Sequence, residues 1–468
     1  MAGGQFTDYN KKLPGLYIRY KTVGGLTATV GERGTVAIAK KLDWGTPGQF
    51  MEINNIDKIA EVTGHSLTED EMLFVREMIR GTDLTSGASK ILLWRLEEQN
   101  SAKASVKIGN LTVTAKDPGS TGNKLKIIVA PVPESKNTDN VDEDEFYQWK
   151  VDTVLNNKIV ATETVGTWNG SKDGAEALGT IANLKGNDYV SFSGTGSFEA
   201  NVGASLTGGQ DSGITPTAHT NFLTALGKKQ FNTVIYDGTD KVLQSTYVAF
   251  VKRLCQDEGR YCVLVTSDYT NANSEYVISV NNGVKLETGE ELTPAQMTWW
   301  VGGASAGANY NESLTYHQHP AAVDVVTEYD NTELGDLKEK GNFLFFKHDG
   351  KVLVVSDVNT HTSLTEDKGK ALQKNRVVRT IMQICNDLYT GYVNSYIGKV
   401  NVNPNGIKLV KGYAVNYLNQ IQNNEGIKNF DGKEDVTVKE YEIDSMIMGL
   451  YIQPVDSLEK LYIEMSIA

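Results

Sequence analysis

Between residues 97 and 210 helical periodicity almost disappears, and this change of pattern constrains the fold more than any other feature of the chain. Apolar and polar residues alternate there over short runs: Ser105–Ile108, Leu111–Ala115, Lys124–Val129, Tyr147–Thr153, Lys158–Val165 and Tyr189–Phe192. A period of two marks strands with one buried face. Ile108-Gly109-Asn110, Asp117-Pro118-Gly119 and Asn156-Asn157 supply turns between them. Only Ala175–Leu184 reads as helical, and Gly203–Gly213 reads as an exit linker. The expectation is a β-sandwich inserted between α/β parts.

The flanks carry both periods. On the N-terminal side, residues 34–39 (GTVAIA) predict a buried strand. Thr68-Glu69-Asp70-Glu71 predicts a capping box opening a helix with Leu73, Met78 and Ile79, and KILLWRL from Lys90 returns as a strand. Beyond the insert, Thr215-Pro216 caps a helix reaching Leu226. Strands at Phe231–Tyr236 and Tyr261–Thr266 bracket a helix over Val242–Glu258. Ala322–Thr327, Asn342–Phe346 and Lys351–Ser356 follow as strands, and repeated βα alternation predicts an open, mainly parallel sheet. The last part opens on Ser363-Leu364-Thr365-Glu366, read as a second capping box. The helix after it would place Val378, Ile381, Met382, Cys385, Leu388, Tyr392 and Val393 on one stripe. After Pro404 the expected strands are Val436–Ile443, Ile447–Ile452 and Leu461–Ile467. A chain of 468 residues exceeds one ordinary core. The predicted organisation is α/β and β multidomain: an N-terminal extension over 1–33, a small N-terminal α/β unit over 34–96, the β-sandwich over 97–210, an α/β domain over 211–362 and a C-terminal α/β domain over 363–468.

Charge and cysteines exclude some functions. With 58 acidic against 45 basic side chains, the net charge of −13 repels phosphate backbones, so no direct nucleic acid partner is expected. Three cysteines, Cys255, Cys262 and Cys385, make no disulfide framework and suit a reducing cytoplasm. The opening MAGGQFTDYNKKLPG lacks a signal-segment pattern, and no apolar run approaches a bilayer span, so no membrane insertion is expected.

Chemistry is sparse. Asp237, Asp268 and Asp357 each follow an apolar strand, where aspartate serves as a turn or cap residue more often than as a catalyst. Gly303-Ala304-Ser305-Ala306-Gly307 matches a nucleophile elbow. Thr293-Pro294-Ala295-Gln296, however, is a capping box that makes the preceding residues helical. His317 and His319 would share one side of a strand, with Glu312 the nearest further ligand, short of a metal set. No catalytic residue, cofactor or metal is expected.

Both ends of the chain alternate. Leu461, Ile463, Met465 and Ile467 interleave with polar residues up to the last position, and Leu16, Ile18 and Tyr20 do the same near the first. Such strands pair in one strongly preferred register, at home or on a neighbour's sheet edge.

The whole chain resembles the tail sheath family of contractile phages, R-type bacteriocins and defective prophages of Gram-positive bacteria. The likeness is carried by PGLYIRYKTV, QFNTVIYDGTD, WWVGGASAGANYNESLTYHQ, KNRVVRTIMQICNDLYTGYVNSYIGKV and the closing GLYIQPVDSLEKLYIEMSIA. It implies that the 211–362 domain is subtilisin-like without catalytic residues. It also implies a structural, non-enzymatic subunit forming stacked six-membered rings around an inner tail tube protein, with baseplate and tail terminator as further partners. The particle would be a virion tail or tail-like particle assembled in the host bacterial cytoplasm. The resemblance makes Leu16, Ile18 and Tyr20, and Leu461, Ile463, Met465 and Ile467, donors of strands to neighbouring subunits. The receiving strands carry Val436, Val438, Tyr441, Ile443, Ile447, Leu450 and Ile452. Contraction would drive the tube through the target cell envelope. The alternatives are an α/β hydrolase using Ser305 and a monomeric surface-binding module.

Overall fold

The computed structural model describes residues 30–136, 146–167 and 178–467, with the backbone alone of residues 3–4 and 16–17. Ile18 and Tyr20 therefore lie outside the described residues, and Leu16 enters only through a two-residue parallel pairing with Gly3. The chain forms two compact units. One comprises residues 33–378 with 456–468, the other residues 1–32 with 379–455.

The larger unit begins with β1 (Thr35–Lys40), β2 (Phe50–Ile53), helix α1 (Leu73–Arg80) and β3 (Lys90–Arg95). Thr68 does not cap α1. A 3₁₀ turn at Asp70–Met72 precedes the helix, and the Glu69 carboxylate is taken by the Ser66 amide at 2.9 Å and by His65. The insert follows as β4 (Ser105–Ile108), β5 (Leu111–Ala115), β6 (Leu125–Pro131), β7 (Trp149–Leu155), β8 (Lys158–Val165), β9 (Val190–Ser193) and β10 (Asn201–Ser205). They form a four-stranded sheet of order β8-β7-β6-β10 and a three-stranded sheet of order β9-β5-β4. The inward residues Val113, Ala115, Leu125, Ile127, Val129, Val151 and Leu155 fill the space between the two. Two expectations fail here. Residues 178–184 hold only a 3₁₀ turn at Ile181–Asn183. The segment read as a linker from Gly203 instead begins inside β10, whose Asn201, Ala204 and Ser205 pair with β6 and close the sheet.

Next come α2 (Ala218–Leu226), β11 (Thr233–Ile235), α3 (Lys241–Gln256), β12 (Val263–Ser267), β13 (Val277–Val280), α4 (Pro294–Gly307) and β14 (Asn342–Phe343). The expected strand over Asn342–Phe346 is split, since Phe345–His348 pairs instead with Lys351–Val354. One seven-stranded sheet of order β14-β13-β12-β11-β1-β3-β2 unites segments on both sides of the insert. All neighbours are parallel except β2 and β3. Strands covered on both faces read as continuous apolar runs, as in TVAIAK and KILLWR. Val36, Ile38, Ile91 and Leu93 pack with Val75 and Met78 of α1 and Trp299 of α4. On the other side of β3, Trp94 meets Phe222 of α2 at 6.1 Å, and Phe222 meets Tyr247 of α3 at 6.1 Å. Residues 34–96 are thus part of the 211–362 sheet and not a layer of their own, because β1 offers one edge to β3 and the other to β11.

The insert leaves and rejoins this sheet at one place. The Gln99 amide donates to the Gly213 carbonyl at 2.9 Å and the Thr215 amide to the Glu97 carbonyl at 2.8 Å. Arg95, fully buried, donates to the carbonyls of Gly45 and Pro118, both at 2.7 Å, tying β3 to the sandwich. A second tie is His65, whose Nε2 lies 2.7 Å from Asp43 and whose Nδ1 lies 2.9 Å from Glu69. Thr121 of the insert donates to Asp43 at 2.7 Å. Burial opposes the imidazolium, but the two carboxylates outweigh it and raise His65 above its ordinary 6.5, with Lys124 a small opposing charge. Burial would raise Asp43, but His65 and Thr121 hold it down at about 2. The His65 contribution is full below 6.5 and fades as pH rises through the raised folded-state value. The Asp43 contribution is present above 3.8 and fades as pH falls towards about 2. Replacing His65 with Gln is expected to cost roughly 2 kcal/mol inside that window. The melting-temperature gap to wild type should narrow on the alkaline side; a gap that widens there would contradict the assignment.

The smaller unit takes residues 379–395 of α5 (Asn375–Ser395), then α6 (Pro404–Asn423) and the hairpin β15 (Val436–Glu442) and β16 (Ser445–Leu450). Ser363–Glu366 opens no helix. Thr365 and Lys368 close a tight turn on each other, Gly369 follows, and α5 starts only at Asn375. Helix α6 was not expected from the sequence. Its buried Tyr413, Ala414, Tyr417, Leu418 and Ile421 nonetheless keep helical spacing, with Asn403 accepting the Gly406 amide at 2.9 Å as cap.

Candidate functional site

The residues considered for catalysis are placed apart, Ser305 is buried, and the three aspartates are already engaged. Ser305 lies inside α4 and is 2% exposed. The Thr293 capping box is formed, so no strand feeds a turn at Ser305 and the elbow geometry is missing. Asp237 sits where the strand order reverses between β1 and β11, the place where doubly wound sheets hold ligands. Its carboxylate is held by Lys40 at 2.6 Å and by the Trp299 indole at 2.7 Å, and the Lys40 ammonium lies over Trp299 and Phe74. Asp268 accepts from Asn281 at 3.2 Å, with burial raising its carboxyl. Asp357 accepts from the Leu314 amide at 3.1 Å and from Asn375 at 2.8 Å.

The two histidines do not converge. His319 Nε2 contacts Glu77 at 2.9 Å and its ring lies 4.9 Å from Trp300, whereas His317 faces the Thr82 hydroxyl at 3.0 Å. Glu312 accepts instead from the Asn309 amide at 2.9 Å. Sequence reasoning overlooked His65, Glu69 and Glu71, the one group among the described residues close enough to hold an ion. Both ring nitrogens of His65 are already taken by carboxylates. No helix among the described residues is long and apolar enough to cross a membrane.

The surfaces left open are of another kind. In the smaller unit, a two-residue loop of Ile443 and Asp444 joins β15 to β16, and Val438 pairs with Met448 across the ladder. One face of the hairpin turns inward: Val436 is fully buried, and the Met448 sulfur lies 3.9 Å from the Tyr392 hydroxyl. Tyr392 in turn donates to the Val410 carbonyl at 2.9 Å and packs on Tyr396 and Tyr413. Ile447 and Tyr441 are exposed, as is Ile443 in the loop, and Ile452 lies just past β16. Among the described residues the hairpin is a two-stranded sheet with both outer edges unpaired.

The phase of those edges follows from one bond. The Tyr451 amide donates to the Asp435 carbonyl at 2.9 Å, so that pair is hydrogen-bonded. Antiparallel pairs alternate, and in the register Val436↔Leu450, Val438↔Met448 these residues fall on the non-bonded positions. Their N–H and C=O groups point outward, along the two free edges. The same unit holds Gly31, whose amide donates to Asp387 at 3.1 Å and whose carbonyl accepts from Gln383 at 3.1 Å.

In the larger unit, the expected strand Leu461–Ile467 is not a strand. Residues 458–467 carry no regular structure, and Leu461, Ile463, Met465 and Ile467 are 71, 76, 82 and 91% exposed. The alternation is present in sequence, but none of the described residues covers its apolar half. A run of large apolar side chains left open in this way marks an interaction surface.

Comparison with known proteins gives these surfaces a family. Residues 33–96 match the tail sheath protein Gp18 domain III N-terminal region, 97–211 the phage tail sheath beta-sandwich domain, 212–360 the central domain and 367–468 the C-terminal domain. The chain is 34% identical to YqbK and 31% identical to the phage-like element PBSX protein XkdK, both of Bacillus subtilis (strain 168), over the full length of each. Its fold is similar to the crystal structure of a sheath tail protein from Desulfitobacterium hafniense, with TM-score 0.79, 37% identity and coverage of 96% of this chain and 99% of that one. A sheath tail protein from Listeria innocua gives TM-score 0.76 at 29% identity, covering 93 and 95%. The contracted sheath of the anti-feeding prophage shares the fold alone, with TM-score 0.56 at 11% identity over 97 and 99% of the two chains. Four consecutive sheath domains cover nearly the whole sequence, and the chain belongs to the phage tail sheath protein family, as a structural subunit of a contractile tail.

Proposed function

We propose that subunits polymerise by exchanging strands, with the alternating tail of one molecule completing the hairpin of another. The observation that carries this reading is a matched pair of unfinished surfaces. The exposed Leu461, Ile463, Met465 and Ile467 need a sheet, and the hairpin bearing Val436, Val438, Tyr441, Ile447 and Leu450 has two unpaired edges. Strand addition takes affinity from main-chain hydrogen bonds and register from alternate side chains. Two edges accept two donors, so the segment carrying Leu16, Ile18 and Tyr20 is assigned to the second. Six subunits form a ring, and rings stack around an inner tail tube, meeting a baseplate at one end and a terminator at the other. Assembly takes place in the host bacterial cytoplasm into a phage tail or tail-like particle. Contraction repacks the rings while the exchanged strands stay paired, and the tube is driven through the envelope. The parallel sheet with helices on both faces supports a subtilisin-like origin for the 211–362 domain, here without catalytic residues.

Proline tests the edges. Within a sheet it is tolerated where its missing N–H faces outward on an edge. Val438→Pro and Leu450→Pro are expected to leave a folded subunit by circular dichroism and to raise the concentration needed for tube formation roughly tenfold or more. Ile447→Pro, at an inward-bonded position, is expected to lower the melting temperature instead. Tubes at wild-type concentration from both edge variants, seen in electron micrographs, would refute the reading.

A further inference from the structure

The exposed tail begins abruptly. Val455 is still bound, its amide donating to the Gly426 carbonyl at 3.0 Å within the smaller unit. In the larger unit, residues 460–467 make no hydrogen bond among the described residues. Between them stands Glu459. Its Oε1 accepts from the Thr315 hydroxyl at 3.0 Å and from the Ser356 hydroxyl at 3.1 Å, and its Oε2 pairs with the Lys374 ammonium. Lys374 also donates to Ser356 at 3.3 Å, and the Asp357 amide donates to Thr315 at 2.9 Å. The four side chains therefore form one closed network. The Glu459 and Lys374 side chains are 17 and 19% exposed, so the pair is sheltered from salt and solvent more than a surface pair would be. Burial alone would raise the Glu459 carboxyl; Lys374, Thr315 and Ser356 outweigh it and hold it below its ordinary value.

We infer that this network is a clasp that anchors the donated arm to its own subunit and sets the arm's reach. The inference rests on the strand-exchange reading and adds to it the point where load passes from a neighbour's sheet into the donor's body. With the clasp closed, the free arm starts at Lys460, and residues 460–468 span at most about 30 Å when extended. With the clasp open, the next side chain inward is Asp456, which among the described residues bonds only the adjacent Ser457 amide, at 2.9 Å. The free segment then gains several residues of slack. Added slack lowers the effective concentration of the strand at its target edge and blurs its position there. Tension on the arm would peel residues 456–459 away before it moved the sheet domain.

The test uses the full chain and four variants: Glu459→Gln, Lys374→Met, the two combined, and a deletion of residues 460–468. Subunit melting temperature and the critical concentration for tube formation are measured for each. Glu459→Gln and Lys374→Met, which open the clasp from opposite sides, are expected to keep the subunit folded and to raise the critical concentration about tenfold. The double variant should be no worse than the poorer single one, as expected for two halves of one interaction. Wild-type critical concentrations for both point variants, with no tubes from the deletion, would overturn the clasp and leave strand exchange standing. Tubes from the deletion would overturn strand exchange and the clasp together. If Glu459→Gln fails to fold, Lys374→Met carries the decision, since it leaves the arm's own sequence intact.

Discussion

A subunit lacking residues 460–468 is expected to melt at the temperature of the full chain and to form no tubes at any concentration where the full chain does. The first half follows from the tail's surroundings: its apolar side chains are exposed and it adds no hydrogen bond to its own unit among the described residues. Removing such a segment takes nothing from the core. The second half follows from what the tail would gain on a neighbour. Each of Leu461, Ile463, Met465 and Ile467 contributes roughly 2 kcal/mol when its side chain leaves water, partly offset by the ordering of the backbone. Losing all four removes that surplus from every contact in the polymer at once. The net charge of −13 per subunit opposes association, so no long-range attraction replaces it. Sedimentation and electron microscopy of the truncated protein decide the matter. A marked fall in subunit melting temperature would show that the tail belongs to its own core.

Gly303→Ala is expected to destabilise the subunit by about 3 kcal/mol or more, although it adds one methyl group to a helix. Helices α1 and α4 touch backbone to backbone at this point. A Cβ on Gly303 would lie 1.9 Å from the Met78 carbonyl oxygen and 2.7 Å from its Cα, with no flexible side chain to give way. Gly307 makes the same kind of approach to the Ser86 carbonyl, at 2.0 Å, so the helix cannot tilt to relieve one end without closing the other. Separating the pair would open the layer where Val75, Met78, Trp299 and Ala306 meet the sheet. Ser305→Ala, two residues away, should change stability by less than about 1 kcal/mol, because the position keeps its size. Chemical denaturation of the two variants side by side gives the comparison. Near-equal stabilities would mean that α1 and α4 are packed less closely than these distances require.

Much of the secondary structure was legible because its signals are local. The Thr293 capping box formed with both its bonds, and the strands Ser105–Ile108, Leu111–Ala115 and Lys158–Val165 stand where alternation placed them. The boxes read at Thr68 and Ser363 misled because that spacing caps a helix only where the helix starts at the next residue. A 3₁₀ turn at Asp70–Met72 separates Thr68 from α1, and it is the Glu69 carboxylate that turns back, onto the Ser66 amide three residues before it; Gly369 breaks the segment between Ser363 and Asn375. Helix α6 was missed for the reverse reason: asparagine and glycine in PNGIKLVKGYAVNYLNQIQN masked a stripe whose spacing was helical throughout.

The sequence by itself determined which residues turn an apolar face to something: the period of each segment, the all-β insert and the alternating tail. It could not determine what covers those faces, because periodicity is a property of neighbours along the chain and pairing is made across it. Only the tertiary structure brought residues 34–96 and 211–362 into a single sheet, placed Lys40 and Trp299 on Asp237, and left both hairpin edges without partners among the described residues. It also left Leu461–Ile467, alternating in sequence, unpaired among the described residues. A strand is stabilised by the sheet it joins, and none of the described strands joins this one.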